Sequence, residues 1–129
     1  MIKIEHFGGM VECNSVEEAR LVLEKRYGNG VNEFWISGEN NYPYLGLLVN
    51  NELASLGYFS SNDGSIFSSV GTDTELDLGQ MTVFYTNTPT EEIGVSNNMV
   101  IPIYMALMAV NEFLNTYELP VCIEWFELT

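Results

Sequence analysis

The chain has 129 residues and carries 18 acidic side chains against four basic ones, a formal net charge of −14. Hydrophobic residues make up 47% of it, enough for a packed core, so an intrinsically disordered chain is excluded and a single domain over residues 1–129 is expected. A membrane-spanning helix is not expected, because no apolar run approaches the roughly 18 residues that such a helix needs.

The first quarter of the chain predicts a strand followed by an amphipathic helix. Residues 1–7 alternate weakly and end at a pair of glycines, so we expect a strand at the edge of a sheet. Ser15 and Glu18 have the spacing of a helix capping box. A helix over residues 16–27 would then end at Gly28.

The middle of the chain predicts five consecutive strands, rich in β-branched and aromatic residues. The intervening turns contain Asn, Asp and Gly, which tolerate left-handed conformations. Strands at a spacing of about ten residues favour an antiparallel meander. The predicted strands are residues 31–37, 44–49, 52–60, 66–70 and 81–86.

The end of the chain predicts a second helix and a closing strand. Pro102 suits a first helical position, and residues 103–115 are apolar nearly all round, as in a deeply packed helix. Residues 121–127 follow as a strand after Pro120. The predicted fold class is α+β, an antiparallel β-sheet meander of about five to seven strands with two main helices, in the order β-α-β-β-β-β-β-α-β.

The charges are distributed unevenly along the chain. All four basic residues lie in the first 26 positions, and 13 carboxylates without any Lys or Arg follow. Direct binding to nucleic acid or to an anionic membrane surface is disfavoured, because both depend on Lys and Arg. A strongly basic partner is favoured, since opposite charge accelerates encounter. The alternative that the acidity serves solubility alone stays open.

The sequence contains no motif that predicts catalysis. It has no glycine-rich phosphate loop and no metalloprotease or serine-hydrolase signature. Cys13 and Cys122 lack metal-site spacing, and His6 is the single histidine. We therefore expect no enzyme, no metal and no cofactor. The N-terminus lacks the basic and apolar stretches of a signal peptide, which predicts a cytoplasmic protein with reduced thiols.

Acidic residues in predicted loops are candidates for binding a basic partner. Asp73, Glu75 and Asp77 alternate, so in an extended segment their carboxylates would point the same way, about 6.5 to 7 Å apart. Such a row favours a nearby cation, either a basic protein surface or Ca²⁺, although the EF-hand spacing is absent. A solvated loop is an equally good interpretation. The candidate binding residues are Asp63, Asp73, Glu75, Asp77, Glu91 and Glu92.

Several aromatic side chains and one carboxylate allow two interpretations each. The aromatic residues are interpreted first as core or half-buried sheet residues, with exposed interface anchors as the alternative. Glu124 would lie between apolar neighbours of the closing strand and accept hydrogen bonds there, with a functional carboxylate as the alternative. The aromatic residues are Trp35, Tyr42, Tyr44, Tyr58 and Trp125.

The last third of the chain resembles the immunity protein 1 family of bacterial polymorphic toxin systems. The resemblance lies in a helix ending with a Phe-Leu pair, a Leu-Pro step and a final strand with Glu-Trp. Tyr117 is a departure, because relatives often carry Gly before the Glu-Leu-Pro step. The motif residues, interpreted as structural, are Phe113, Leu114, Leu119, Pro120, Glu124 and Trp125.

The resemblance implies a non-enzymatic, cytoplasmic antidote that binds and blocks a cognate toxin, as in contact-dependent inhibition. Toxins paired with this family include nucleic-acid-modifying enzymes such as deaminases, which fits an acidic domain facing a basic groove. We expect a monomer or weak dimer whose partner is a toxin with a basic surface. The alternatives are another acidic immunity or adaptor family, and a small ligand-binding domain or enzyme with carboxylates in an apolar pocket.

Overall fold

The part of the chain that the computed structural model describes, residues 1–61, 63–71 and 74–128, forms ten β-strands and two α-helices. The predicted α+β class is therefore confirmed. The helices are α1 (Val16–Leu23) and α2 (Ile103–Thr116). The strands are β1 (Ile2–His6), β2 (Gly9–Cys13), β3 (Val31–Ser37), β4 (Tyr44–Asn50), β5 (Leu53–Phe59), β6 (Ile66–Ser69), β7 (Met81–Tyr85), β8 (Glu92–Ser96), β9 (Ile101–Pro102) and β10 (Trp125–Glu127).

Eight of these strands form one antiparallel sheet in the order β10-β6-β5-β4-β3-β1-β2, with the short β9 pairing with β5. Its centre consists of β3, β4 and β5, whose register places Trp35 beside Gly46 and Gly46 beside Gly57. β7 and β8 pair only with each other among the described strands and form a separate hairpin.

Both helices pack against one face of the sheet and enclose the main core. Alternation along the central strands directs Phe34, Leu47 and Leu56 to this face, where each is at most 1% exposed. Ala19 of α1 and Phe113 of α2 are fully buried against them. Each large apolar side chain buried in this way stabilises the fold by roughly 1.5 to 3 kcal/mol.

The β7–β8 hairpin covers part of the opposite face and forms a second, smaller core there. Phe84 of β7 and Val95 of β8 are buried in it together with Val100. Glu33 of β3, only 6% exposed, accepts hydrogen bonds from the Thr86 hydroxyl (2.8 Å) and from the Asn87 backbone N–H (3.0 Å). A buried carboxylate therefore fixes the end of β7 to the sheet.

The strand count exceeds the predicted five to seven because three strands, β2, β8 and β9, were not predicted. Gly9 has a φ of 114°, a conformation that L side chains rarely adopt, and there the chain turns back to form β2. β1 consequently pairs on both sides, with β2 and with β3. The prediction of β1 as an edge strand is wrong, and β2 occupies the edge.

Local hydrogen bonds determine where α1 begins and ends. Half of the predicted capping box of α1 is present: the Glu18 backbone N–H donates to Ser15 Oγ (3.1 Å), but the Glu18 carboxylate accepts from the Asn14 N–H (2.8 Å) instead of that of Ser15. α1 ends at Leu23 instead of residue 27, because the Arg26 guanidinium donates to the Leu23 carbonyl (2.7 Å).

No helix in the described part of the chain is long and apolar enough to cross a membrane.

Candidate protein interface

The acidic candidate residues lie at three separate places. Glu75 and Asp77 are exposed in the loop before β7, and Glu91 and Glu92 are exposed at the turn between β7 and β8. Since β7 has five residues, about 15 Å separates these two pairs along the hairpin. Asp63 is exposed in the turn between β5 and β6. Asp73 lies outside the described residues, so the predicted row of three carboxylates is not tested.

The described acidic residues do not form a metal site. Within residues 1–61, 63–71 and 74–128, no group of three or more His, Cys, Asp or Glu side chains could hold a metal ion. Asp77 has a local structural contact instead, because its Oδ1 accepts a hydrogen bond from the Gly79 N–H (2.8 Å). Exposed carboxylates spread over two ends of a hairpin suit long-range attraction of a cationic partner.

The aromatic candidates divide between the two faces of the sheet. Tyr58 is buried in the main core, and the half-buried Trp125 packs against it with a ring separation of 6.3 Å. Trp35 and Tyr42 are each 37% exposed, and Tyr44 lies between them with ring separations of 5.8 and 5.3 Å. Tyr58 and Trp125 therefore fit the interpretation as core and half-buried sheet residues, whereas Trp35 and Tyr42 are exposed and their role as interface anchors stays a prediction.

A trough runs along the face of the sheet beside the β7–β8 hairpin, and the hairpin residues Ile93 and Val95 line one side of it. It consists of two adjoining hollows of about 350 and 280 Å³ that share the side chain of Trp35. We call it the open-face trough and define it by Met10, Trp35, Tyr44, Gly46, Phe59 and Ile66.

The floor of the open-face trough depends on two glycines. A Cβ atom at Gly46 would lie 2.8 Å from the Trp35 ring, and one at Gly57 would lie 3.1 Å from the Phe59 ring. The Tyr44 and Phe59 rings stack nearly parallel at 4.4 Å and form one wall. Burial, and next the neighbouring Tyr42 hydroxyl, raise the pKa of Tyr44 above its ordinary value, so its phenol stays neutral.

Carboxylates with a defined structural role include two that the sequence analysis did not single out. Glu33 fixes the hairpin, and Glu112 of α2 accepts hydrogen bonds from the N–H groups of Val121 (2.6 Å) and Cys122 (3.2 Å). Glu124, by contrast, is exposed, and the Trp125 indole N–H donates to the Pro120 carbonyl (2.7 Å). The enclosed carboxylate that a ligand-binding pocket would need at Glu124 is therefore not found there.

Residues of the C-terminal motif lie mainly on the helix side of the sheet. Phe113 and Leu114 are buried in the main core, Pro120 is buried, and Leu119 is half-buried against the core. Cys122 is exposed as a residue, but partial desolvation of its thiol, and next a hydrogen bond with the Glu112 side chain, raise the pKa of that thiol above its ordinary value. Cys13 is buried, and both cysteines are free thiols.

The cations lie at one end of the sheet. Lys3 is in β1, Arg20 in α1, and Lys25 and Arg26 directly follow α1, which packs beside β1 and β2. The Arg20 guanidinium donates to Asn111 Oδ1 (2.7 Å), and Lys3 Nζ donates to the Glu39 carbonyl (3.1 Å). The remaining elements, from β3 onward, contain only anionic side chains among their charged groups.

A comparison with curated proteins finds no match to this chain. A family model described as Immunity protein Imm1 matches residues 10–127, a range that includes both helices and every described strand from β3 to β10. This match confirms the resemblance that was drawn from the C-terminal motif. The chain belongs to the immunity protein Imm1 family.

Proposed function

We propose that the protein is a cytoplasmic, non-enzymatic immunity protein that binds and inhibits a cognate secreted bacterial toxin. The family supports the class of function, since an immunity protein implies a toxin partner. We further propose that the toxin acts on nucleic acid, as a deaminase or a nuclease, and presents a basic surface to this acidic protein.

The observation that supports a basic partner is the separation of charge across the fold. Residues 1–26, which form β1, β2 and α1, hold all four cations with five carboxylates, whereas the remainder holds 13 carboxylates and no cation. An enzyme that binds nucleic acid needs a basic groove, because Lys and Arg side chains neutralise the phosphates. The anionic remainder of this protein is complementary to such a groove and would itself repel nucleic acid.

We assign the exposed carboxylates a role in steering the toxin toward the protein. Glu75, Asp77, Glu91 and Glu92 lie around the hairpin, Asp63 lies at another turn, and we extend the role to Asp73. Rim charges of this kind mainly raise the association rate and contribute less to residence time. The C-terminal motif residues are assigned a structural role, because Phe113 and Leu114 belong to the main core.

The proposal is tested by searching the genes beside that of this protein for a secreted protein with a toxin domain, and by producing that domain with and without this protein. Wild-type protein should protect cells that express that domain, and the association rate of the purified pair should fall about tenfold between 0.01 and 0.15 M salt, where the screening length shrinks from about 30 to 8 Å. Failure to bind the domain, or binding without protection, would contradict the immunity function.

Charge reversal at matched positions separates local steering from net charge. Glu75, Glu91 and Glu92 are replaced by Lys in one variant. Glu17, Glu24 and Glu118, which are equally exposed and lie on or beside the two helices, are replaced in the other. The first variant should associate several-fold more slowly than the second at equal net charge. Equal rates would show that only the total charge matters.

A further inference from the structure

Apolar and aromatic side chains are exposed together on the uncovered part of the sheet. Trp35 is 37% exposed at the centre, and Met10 on the edge strand β2 is 59% exposed. Ile93, on the inward side of β8, is 40% exposed and lines the same hollow as Gly46 and Gly57. Contiguous exposed apolar patches rimmed by charged residues are typical of interaction surfaces.

The shape of the open-face trough favours side chains of a protein over a small-molecule ligand. Its two hollows have volumes of about 350 and 280 Å³. Pockets that bind small molecules usually have volumes of roughly 300–1,000 Å³, so both hollows are small for such a ligand. The Trp35 ring lies over Gly46, where only a residue without a Cβ atom leaves space for it, and one hollow adjoins the ring on each side. Trp and Tyr in such half-enclosed positions are the commonest energetic anchors of interfaces.

Charge decides which macromolecule suits this surface. Among the described residues that line the trough, Lys3 is the one cation, and its ammonium group already donates to the Glu39 carbonyl. Glu5, Glu12 and Glu39 are exposed around it. A second copy would bring another net charge of −14 against these carboxylates, and nucleic acid would bring phosphates. A lysine- and arginine-rich protein surface meets them favourably, and its cations can also lie against the aromatic rings.

We propose that the open-face trough is the anchoring surface for the basic toxin, whose side chains fill the hollows on either side of Trp35. The inference rests on the proposed function and extends it, because it separates anchoring at Trp35 from steering by the loop carboxylates. Side chains that enter the trough become desolvated against Trp35, Tyr44 and Phe59, and such contacts govern the dissociation rate.

Fluorine NMR reports directly on the anchor. The protein contains two tryptophans, so labelling with 5-fluorotryptophan gives two resonances, which a Trp35→Phe variant assigns. Addition of the unlabelled toxin domain should shift or broaden the Trp35 resonance and leave that of Trp125, on the opposite face, unchanged. A Trp35 resonance that stays in place at saturation would overturn the proposal, as would one that moves with protein concentration in the absence of toxin.

Two pairs of variants measure the energetic role of the trough. Trp35→Ala should raise the Kd for the toxin domain at least about 30-fold, whereas Tyr104→Ala, at a 63% exposed position on α2, should leave it unchanged. Met10→Lys should speed dissociation of the basic partner several-fold, because it places a like charge in the trough, while Met10→Glu, of similar length and opposite charge, should not. The Met10 pair on the edge strand keeps the test valid if Trp35→Ala fails to fold.

Two outcomes separate failure of this inference from failure of the proposed function. If the wild-type protein protects cells and binds with a salt-dependent rate, but Trp35→Ala changes Kd by less than about threefold, the anchoring surface lies elsewhere and the immunity function stands. If the wild-type protein does not bind the toxin domain at all, both proposals fail together.

Discussion

Tyr117 has a backbone conformation that glycine adopts more easily than any other residue. It caps α2 with a φ of 54°, in the left-handed region, and its N–H donates to the Phe113 carbonyl (2.6 Å). A residue with a Cβ atom is strained there, whereas glycine is not. In compensation, the Tyr117 ring packs edge-on against the Phe113 ring at 5.4 Å and lies over Gly38.

Comparing two variants at this position isolates the backbone strain from the ring contact. Tyr117→Ala and Tyr117→Gly both remove the ring, but only Ala retains a Cβ atom in the left-handed conformation. We expect the glycine variant to be more stable than the alanine variant by about 1 kcal/mol, measured by urea unfolding. Equal or reversed stabilities would show that the cap adopts another conformation.

His6 makes the stability of the fold depend on pH in a predictable direction. It is buried beside the rings of Tyr27 and Phe34, and its Nδ1 accepts a hydrogen bond from the Gly8 N–H (3.0 Å). Burial, and next the positive charge of Lys25, lower the pKa of His6 below its ordinary value of 6.5. The unfolded chain therefore binds a proton at a pH where the folded chain does not.

The free energy of unfolding should consequently fall as the pH drops through 6.5, until the pH lies below the folded-state pKa. Urea unfolding between pH 8 and pH 5.5 measures this loss in a range where few carboxylates titrate. A His6→Gln variant, which cannot titrate, should be less stable at pH 8 but lack the loss on acidification. Parallel pH profiles of the two proteins would contradict the assignment to His6.

At the scale of elements, the β7–β8 hairpin is held to the sheet by few contacts. Its inward side chains form the small second core, and the Glu33 carboxylate binds Thr86 and Asn87 at the end of β7. The side-chain amide of Asn50 donates to the Val83 carbonyl (2.9 Å) on the same strand. The position of the hairpin decides how much of the sheet remains open.

Removing the Glu33 carboxylate should therefore loosen the hairpin. Glu33→Ala leaves the Thr86 hydroxyl and the Asn87 N–H without their acceptor, at an expected cost of about 2 to 3 kcal/mol, since hydrogen bonds to charged groups are strong. Hydrogen exchange of the β7 and β8 amides should become faster than that of β3 and β4. Glu33→Gln keeps one acceptor oxygen and should show an intermediate effect, and uniform acceleration across both sheets would contradict a local role.

The elements that sequence analysis predicted correctly are those determined by local periodicity. β3, β4 and β5 and the N-cap of α1 follow from alternation, turn residues and cap spacing. The missed boundaries depend on contacts between distant segments. Residues 121–124 precede β10 without joining a strand, because the Glu112 carboxylate occupies the N–H groups of Val121 and Cys122.

The open-face trough could not be predicted, because strand register creates it. Alternation relates residues within one strand only, whereas pairing between strands brings Gly46 and Gly57 side by side beneath the aromatic rings. The acidic candidates were identifiable in loops from composition alone. In the structure the described residues among them lie at the two ends of the β7–β8 hairpin and at one distant turn. This separation was not predicted because β8, which completes the hairpin, lies in a polar segment that was not recognised as a strand.

At the scale of the whole molecule, the sheet order converts the uneven sequence charge into a gradient in space. The segment with all four cations forms one end of the sheet, at β1 and β2, and has a net charge of −1, whereas the rest carries −13. Seven strands in a row span about 29 Å at the usual spacing of about 4.8 Å. This distance exceeds the screening length of about 8 Å at physiological salt.

A charge gradient of this length makes the protein an electric dipole. In the field of a cationic surface the molecule experiences a torque as well as an attraction, so it rotates during its approach and turns forward its more anionic part, which includes the β7–β8 hairpin beside the open-face trough. Random collisions at the wrong orientation are thereby reduced before any side chain makes contact. Rotation should help most at low ionic strength, about 0.01 M, where the screening length of about 30 Å matches the length of the sheet.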